Sequence, residues 1–283
     1  MKSLRWRESW GLVGFSVMRA AMGISILSLV GMLGMIMYHA MPALTWEFLT
    51  EAPRNMMSEG GIWPCLVGTF LLAAGALIIA LPLGVVSAVY LNEYNLESPL
   101  MTVIRLSVAN LAGVPSIIFG LFGLTFFVVF CDLGVSLLSG VLTLAVLSLP
   151  IIINTTETAL KQVPQDWREA SLALGATRFE TIFKVILPNA LPGILTGAIL
   201  SLARAAGETA AVMYTGTVFF MQKDGVSLWE PVMALPYHVY VMATSGTNIE
   251  ATRPLQYGTS LVLVVLVFVM SLGAIWLRER RRQ

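Results

Sequence analysis

Seven stretches of this chain run without a charged side chain for 19 residues or more, and six of them are apolar enough throughout to span: 20–46, 60–92, 106–131, 133–156, 185–203 and 254–277. A helix rises about 1.5 Å per residue, so each stretch can cross about 30 Å of hydrocarbon. Of the 283 residues 57% are hydrophobic and 12% charged, about half the charged share of a soluble domain. A cytosolic enzyme is excluded. The spacing predicts an all-α membrane protein, a single transmembrane domain over 1–283 with spans near 20–44, 64–91, 106–131, 133–156, 188–219 and 255–277.

Asp132 alone separates the third run from the fourth, which predicts a tight hairpin, because a lone carboxylate is tolerated at the interface and costly at mid-membrane. A further uncharged stretch, 231–249, carries Pro231, Pro236, His238 and Asn248, and its apolar part is too short to span. It reads as a partly buried or interfacial element of an external loop, 221–254. With both termini inside, 13 of the 17 lysines and arginines fall on the inner side, Arg54, Lys223 and Arg253 fall outside, and Arg204 lies within a span. That asymmetry follows the positive-inside rule. Lys2, Arg5 and Arg7 ahead of an apolar stretch imitate a signal peptide, but the stretch is too long and ends without a small-residue cleavage site, so an uncleaved helix is expected. Cys65 and Cys131 sit in apolar runs as small hydrophobes. No metal site is expected, and a net charge of +1 leaves no field for nucleic acid.

The loop 157–184 holds four acids and four bases and is punctuated twice for short helices. After Pro164, Asp166 with Glu169 three positions on forms a capping-box-like pair. Gly175 suits the left-handed residue that ends such a helix. Thr177 with Glu180 makes a second box, opening a helix toward Phe183. The expected result is helix, glycine hinge, helix across the inner face. Taken alone, the loop could equally be a solvated linker. The string Glu169-Ala170-Ser171, Gly175, Val185-Ile186-Leu187-Pro188 resembles the EAA motif of ABC importer membrane subunits, with Ser171 for the second alanine and Val185 for isoleucine. The resemblance implies that Glu169, Ala170, Ser171, Gly175, Leu187 and Pro188 belong to the element that couples to a separate ATPase. The chain has no Gly-Lys dipeptide and therefore no phosphate-cradling nucleotide loop of its own. No enzymatic activity and no cofactor are expected in this chain, ATP being bound by the partner.

Between Val185 and Gln222 the only charges are Arg204 and Glu208. With a helix beginning near Pro192, they lie about 18 Å and about 24 Å along it. On a helix they flank Gly197 by 20° each way, with Gly193 and Ser201 near, so one face is expected to carry the small residues and both charges. That face should meet protein or water, since lipid penalises either ion by several kcal/mol. One reading is a self-neutralising pair. The other is an anion path, in which guanidinium offers a fork of donors to a tetrahedral oxyanion and a carboxylate accepts the proton of hydrogen phosphate. Gly113, Pro115 and Gly120 in the third run read as a kink or close-packing site.

Arg204-Ala205-Ala206-Gly207-Glu208-Thr209-Ala210, Ala112 to Gly120 and Trp63 to Tyr94 resemble segments of phosphate ABC transporter permeases of the PstA type. The Ala210-Ala211-Val212 that follows is nearer the sister PstC-type pattern. The resemblance implies a type I importer bundle of six helices in a bacterial inner membrane and a substrate path past Arg204, Glu208 and Thr209. It also implies three partners: two copies of a cytoplasmic ATPase, a PstC-type sister permease and an external phosphate-binding protein. Alternatives are a permease for molybdate or sulfate, which uptake assays separate, and an ion-driven secondary transporter, which would work after ATP depletion.

Overall fold

The computed structural model describes residues 2–54, 59–94, 99–221, 227–245 and 249–280. In chain order these form α1 (Lys2–Ala40), α2 (Trp46–Thr50), a two-stranded hairpin β1 (Pro53–Arg54) and β2 (Glu59–Gly60), α3 (Trp63–Glu93), α4 (Pro99–Leu111), α5 (Ser116–Gly123), α6 (Leu137–Lys161), α7 (Gln165–Ala173), α8 (Arg178–Thr181), α9 (Leu187–Ala206), α10 (Leu235–Ser245) and α11 (Ile249–Arg280). Wide π-helical turns extend α5 over Leu124–Phe130 and join α8 to α9 over Ile182–Ile186. Five helical runs are long and apolar enough to cross a membrane, and the pair α4–α5 makes a sixth when counted as one span.

The centre of the bundle is α3 against α6. On α3 the fully buried Ala73, Ala76, Ala80 and Ala88 recur at three- and four-residue steps and form one face. Small residues there let two backbones approach, the main source of attraction between helices that gain little from leaving lipid. Gly84 continues the stripe: a Cβ on it would lie 2.6 Å from Cγ2 of Ile152. Pro82 stays within α3, as neighbouring helices in a bundle permit. A second core near α7 joins Leu91, Ile153, Leu160, Ile182, Ile186 and Ile194. A third, at the opposite end, joins Phe48, Ile62, Cys65, Met233, Leu235 and Met242. Helix α1 stands apart, with no buried side chain from 14 to 39, and meets α11 where His39 stacks on Tyr257 at 4.9 Å.

The expected continuous span 106–131 is broken. Helix α4 starts earlier, at Pro99, and α5 leaves it at 104°. Pro115 has no N–H to donate and biases the residue before it away from helix, and its ψ of 136° turns the chain. The fourth span starts at Leu137 rather than 133, where the Ser136 hydroxyl accepts the Ser139 N–H at 3.2 Å. Asp132 (φ 53°) and Gly134 (φ 64°) make the short reversal before it.

The expected span 188–219 is also corrected. Helix α9 ends at Ala206, and residues 208–221 run as irregular chain within the bundle. This segment is held by close backbone approach. A Cβ on Gly120 would lie 2.8 Å from the Ala210 carbonyl oxygen, and one on Gly216 would lie 2.7 Å from Cα of Gly140. Its polar backbone is paired by Thr215 O accepting from Ser136 N (3.1 Å), by Thr217 Oγ1 donating to Val212 O (3.1 Å) and by a single bridge between Thr217 and Val232. Non-helical chain at membrane depth persists only where protein satisfies it in this way. Of the stretch 231–249, residues 231–244 are largely buried and hold most of α10, whose first amide, Leu235 N, donates to Thr69 Oγ1 of α3 at 2.8 Å, while 246–248 lie outside the described residues.

Candidate translocation face and docking loop

Helix α7 begins at Gln165, directly after Pro164, and no side chain caps it. Asp166 is therefore inside the first turn and not the cap expected from its spacing. The proline ahead of it sets the start, and the carboxylate complements the positive end of the helix. Gly175 adopts φ +85° with open space around it, which matches the left-handed terminator expected there. Thr177 and Glu180 form the full capping box: Thr177 Oγ1 accepts Glu180 N at 3.2 Å, and Glu180 Oε2 accepts Thr177 N at 3.0 Å.

Glu169, Ala170 and Gly175 are exposed, while Ser171 is half-buried with its hydroxyl 2.9 Å from that of Thr181, which pins α7 to α8. Leu187 and Pro188 open α9 behind the loop. The outer face of the loop is apolar: Trp167, Leu172, Leu174, Phe179 and Phe183 are all exposed, Leu174 to 89%. Phe179 and Phe183 pack with ring centroids 4.4 Å apart. A polar loop that presents this many large apolar side chains is shaped for a protein partner.

Two partly buried arginines, Arg168 at 13% side-chain exposure and Arg105 at 35%, tie this loop end together, and neither was legible in the sequence. Arg168 of α7 reaches Glu93 at the end of α3, with Nη2 2.9 Å from Oε1, and donates to the carbonyls of Val163 (2.7 Å) and Leu160 (2.8 Å) at the end of α6. Arg105 of α4 lies 3.2 Å from Glu157 of α6 and donates to Leu91 O of α3 at 2.5 Å. Lys161 also approaches Glu157, at 2.9 Å. The partners are too far apart in sequence for any local pattern to reveal them. The only signal was the concentration of charge beside the ends of the spans.

Arg204 is in the last turn of α9 and exposed, and its guanidinium makes no hydrogen bond or ion pair among the described residues. Glu208 is beyond the helix, its Oε1 accepting Ala211 N at 3.4 Å, and Thr209 follows in the irregular segment. The structure therefore does not bring Arg204 and Glu208 together on one helical face, because the helix has ended before Glu208. The glycines and the arginine remain near one face of α9, which is helical throughout Leu187–Ala206, but meet different surroundings. Gly193 packs on Ala159 and Gly197 on Thr155 of α6, where added Cβ atoms would meet side chains at 2.5 Å and 2.0 Å. Arg204 lies on the rim of that packed face, in an exposed row with Thr196 and Leu200 at helical spacing. Gly113 and Pro115 are at the α4–α5 break, where Gly113 N donates to Asn110 O at 3.0 Å.

Membrane-length helices, an irregular segment packed inside the bundle and a folded apolar-faced loop at one end define a multi-pass membrane transport subunit. The chain belongs to the family described as binding-protein-dependent transport system inner membrane component, whose model matches residues 80–282. It is 34% identical over 260 residues to the probable ABC transporter permease protein YqgI of Bacillus subtilis, covering 88% of each chain. It is 36% identical over 253 residues to the phosphate transport system permease protein PstA of Mycobacterium leprae, covering 86% of this chain and 80% of that protein. Among solved structures, an inward-facing MetNI methionine ABC transporter chain matches at 25% identity and a TM-score of 0.60, covering 78% of this chain and 94% of that one. A bacterial ABC transporter chain involved in alginate import matches at 13% identity and a TM-score of 0.63, covering 93% and 95%, which bears on the fold alone. The protein is a membrane-spanning permease subunit of an ABC importer, a family whose members work with an ATPase and a substrate-binding protein and do not themselves hydrolyse ATP.

Proposed function

We propose that the importer carries inorganic phosphate and that Arg204 is the residue of this chain that receives it. The observation that carries the reading is the exposed and unpaired guanidinium at the end of α9. The substrate class is supported by the phosphate-transport names of relatives at 33–36% identity. Lipid would charge this arginine several kcal/mol, so its face meets water or a sister subunit of the PstC type. A guanidinium presents paired donors that fit a tetrahedral oxyanion. Glu208 and Thr209 follow in the irregular segment just past the helix end and complete the path; Glu208 selects the protonated species because a carboxylate repels an anion that has no hydrogen to share.

Both termini and α7 lie in the cytoplasm of a bacterial inner membrane. Glu169, Ala170, Ser171 and Gly175 seat in one of two ATPase copies, and Leu187 and Pro188 carry that movement into α9. ATP binding then favours one packing of the bundle over another, and differential stability of two packings is all that coupling requires. The chain needs no cofactor of its own.

The test is uptake of labelled phosphate, sulfate and molybdate by cells lacking the gene and complemented with variants. Arg204→Ala should reduce phosphate uptake at least a hundredfold while the complex still copurifies. Unchanged phosphate uptake would defeat the role of Arg204, and loss of sulfate or molybdate uptake alone would reassign the substrate.

A further inference from the structure

The loop end of the molecule is organised around one helical turn. The last turn of α3 offers two acceptors, the Leu91 carbonyl and the Glu93 carboxylate, and each is gripped by an arginine from a different element. Arg168 comes from α7, the helix with the exposed apolar face. It uses every donor group it has: Nε and Nη2 on the two Glu93 oxygens at 3.4 and 2.9 Å, and Nη1 and Nη2 on the Val163 and Leu160 carbonyls. Its side chain is 13% exposed and that of Glu93 is 10% exposed. Asn92 Nδ2 donates to the same Glu93 Oε1 at 2.7 Å. Arg105 comes from α4, the first half of the broken span, and holds both Leu91 O of α3 and Glu157 of α6.

A surface ion pair of this kind would contribute little. A buried one that also takes up the last carbonyls of a helix fixes geometry, because breaking any member leaves an unpaired charge or carbonyl. Beside it is a cleft of about 490 Å³ lined by Glu93, Arg168, Lys161, Arg178 and Thr181. Arg105 is midway along α4, and the 104° bend between α4 and α5 begins six residues further on, at Leu111.

We infer that Arg168, Glu93 and Arg105 are positioning residues that form a relay, carrying displacement of α7 through the end of α3 to the broken span α4–α5. The inference deepens the reading that α7 docks the ATPase and rests on it. The continuous run from α8 into α9 is a covalent route into α9; the relay is a separate route into α4, in which each link between elements is a directional, charge-assisted bond. A purely structural ion pair would lower stability on removal without changing how much transport each ATP yields.

The experiment uses the whole complex, with ATPase, sister permease and binding protein, in proteoliposomes, and reads labelled inorganic phosphate moved per ATP hydrolysed. Glu93→Gln keeps shape and acceptor and is expected to leave the ATPase bound and hydrolysing within twofold while transport per ATP falls at least tenfold. Arg168→Gln should behave alike, and Arg168→Lys should recover part of the loss. Arg105→Gln should also uncouple, and combining it with Glu93→Gln should add no further loss, since both break one relay. Normal transport per ATP in Glu93→Gln and Arg168→Gln overturns the inference, as do losses that simply multiply in the double variant. The docking reading is tested separately with Leu174→Cys: absence of any cross-link to the ATPase sinks that reading, whereas a cross-link with normal coupling in the Glu93 variant sinks only the relay.

Discussion

Glycines on buried faces decide how close the elements of this bundle can come. A Cβ on Gly68 of α3 would lie 2.0 Å from the Met233 carbonyl oxygen, a backbone atom that cannot rotate away. Gly68→Ala should therefore cost about 2–3 kcal/mol by overpacking and lower the thermal midpoint in detergent, whereas alanine at Gly31, which has nothing within 4 Å, should leave it unchanged. His238 of α10 makes the complementary case in polar chemistry. It is 5% exposed, its Nδ1 has no partner among the described residues, and burial pushes it from its ordinary 6.5 down to about 4. A depressed value means that the unfolded chain binds the proton first. The stability tied to its neutral form is therefore complete above pH 6.5 and is lost as pH falls toward and through 4. Melting curves between pH 4 and 7 should show this slope, and His238→Gln, which cannot take up that charge, should flatten it.

At the level of elements, the loop between α6 and α9 was the most legible part of the sequence. Its two short helices, the glycine between them and the Thr177 box follow from local chemistry, and local chemistry is what a sequence displays. Gly175 at φ +85° with open space around it makes a clean test of backbone preference. Gly175→Ala should cost about 1 kcal/mol and reduce copurification of the ATPase, while Ala173→Ser on the same helix should not; equal copurification for both would detach the hinge from docking. What the sequence hid was non-local. Pro115 announced a kink but not its angle, because the bend depends on what α4 and α5 pack against. The end of α9 at Ala206 was masked by an apolar run that continues past it. Gly207, Gly216 and the threonines at 209, 215 and 217 were the available signs that the chain leaves the helix there and satisfies its backbone in another way. Arg204 stood out as the lone cation of its span, whereas its separation from Glu208 depended on that unseen helix end.

For the whole molecule, the bare side chains of α1 and the exposed row on α9 show that the described chain presents large surfaces that need covering. The apolar outer wall belongs in lipid, and the row carrying Arg204 belongs against protein or water. Orientation is open to direct measurement with thiol labels. In a Cys131→Ser background, with Cys65 fully buried, Trp229→Cys at the α10 end should react with an impermeant maleimide in intact spheroplasts. Leu174→Cys should react only after permeabilisation, and the reverse pattern would invert the topology.

The irregular run from Glu208 to Met221 also constrains how the protein is made. A helix brings its own hydrogen bonds into the bilayer and can be released there alone, but this segment makes only some of its own and takes others from Ser136 at the start of α6 and from Val232 in the chain leading into α10, while packing on α5. It cannot be handed to lipid when it emerges from the ribosome. The earlier spans must still be held beside the insertion channel when it arrives, so a stretch with no regular structure sets the order in which the subunit is assembled.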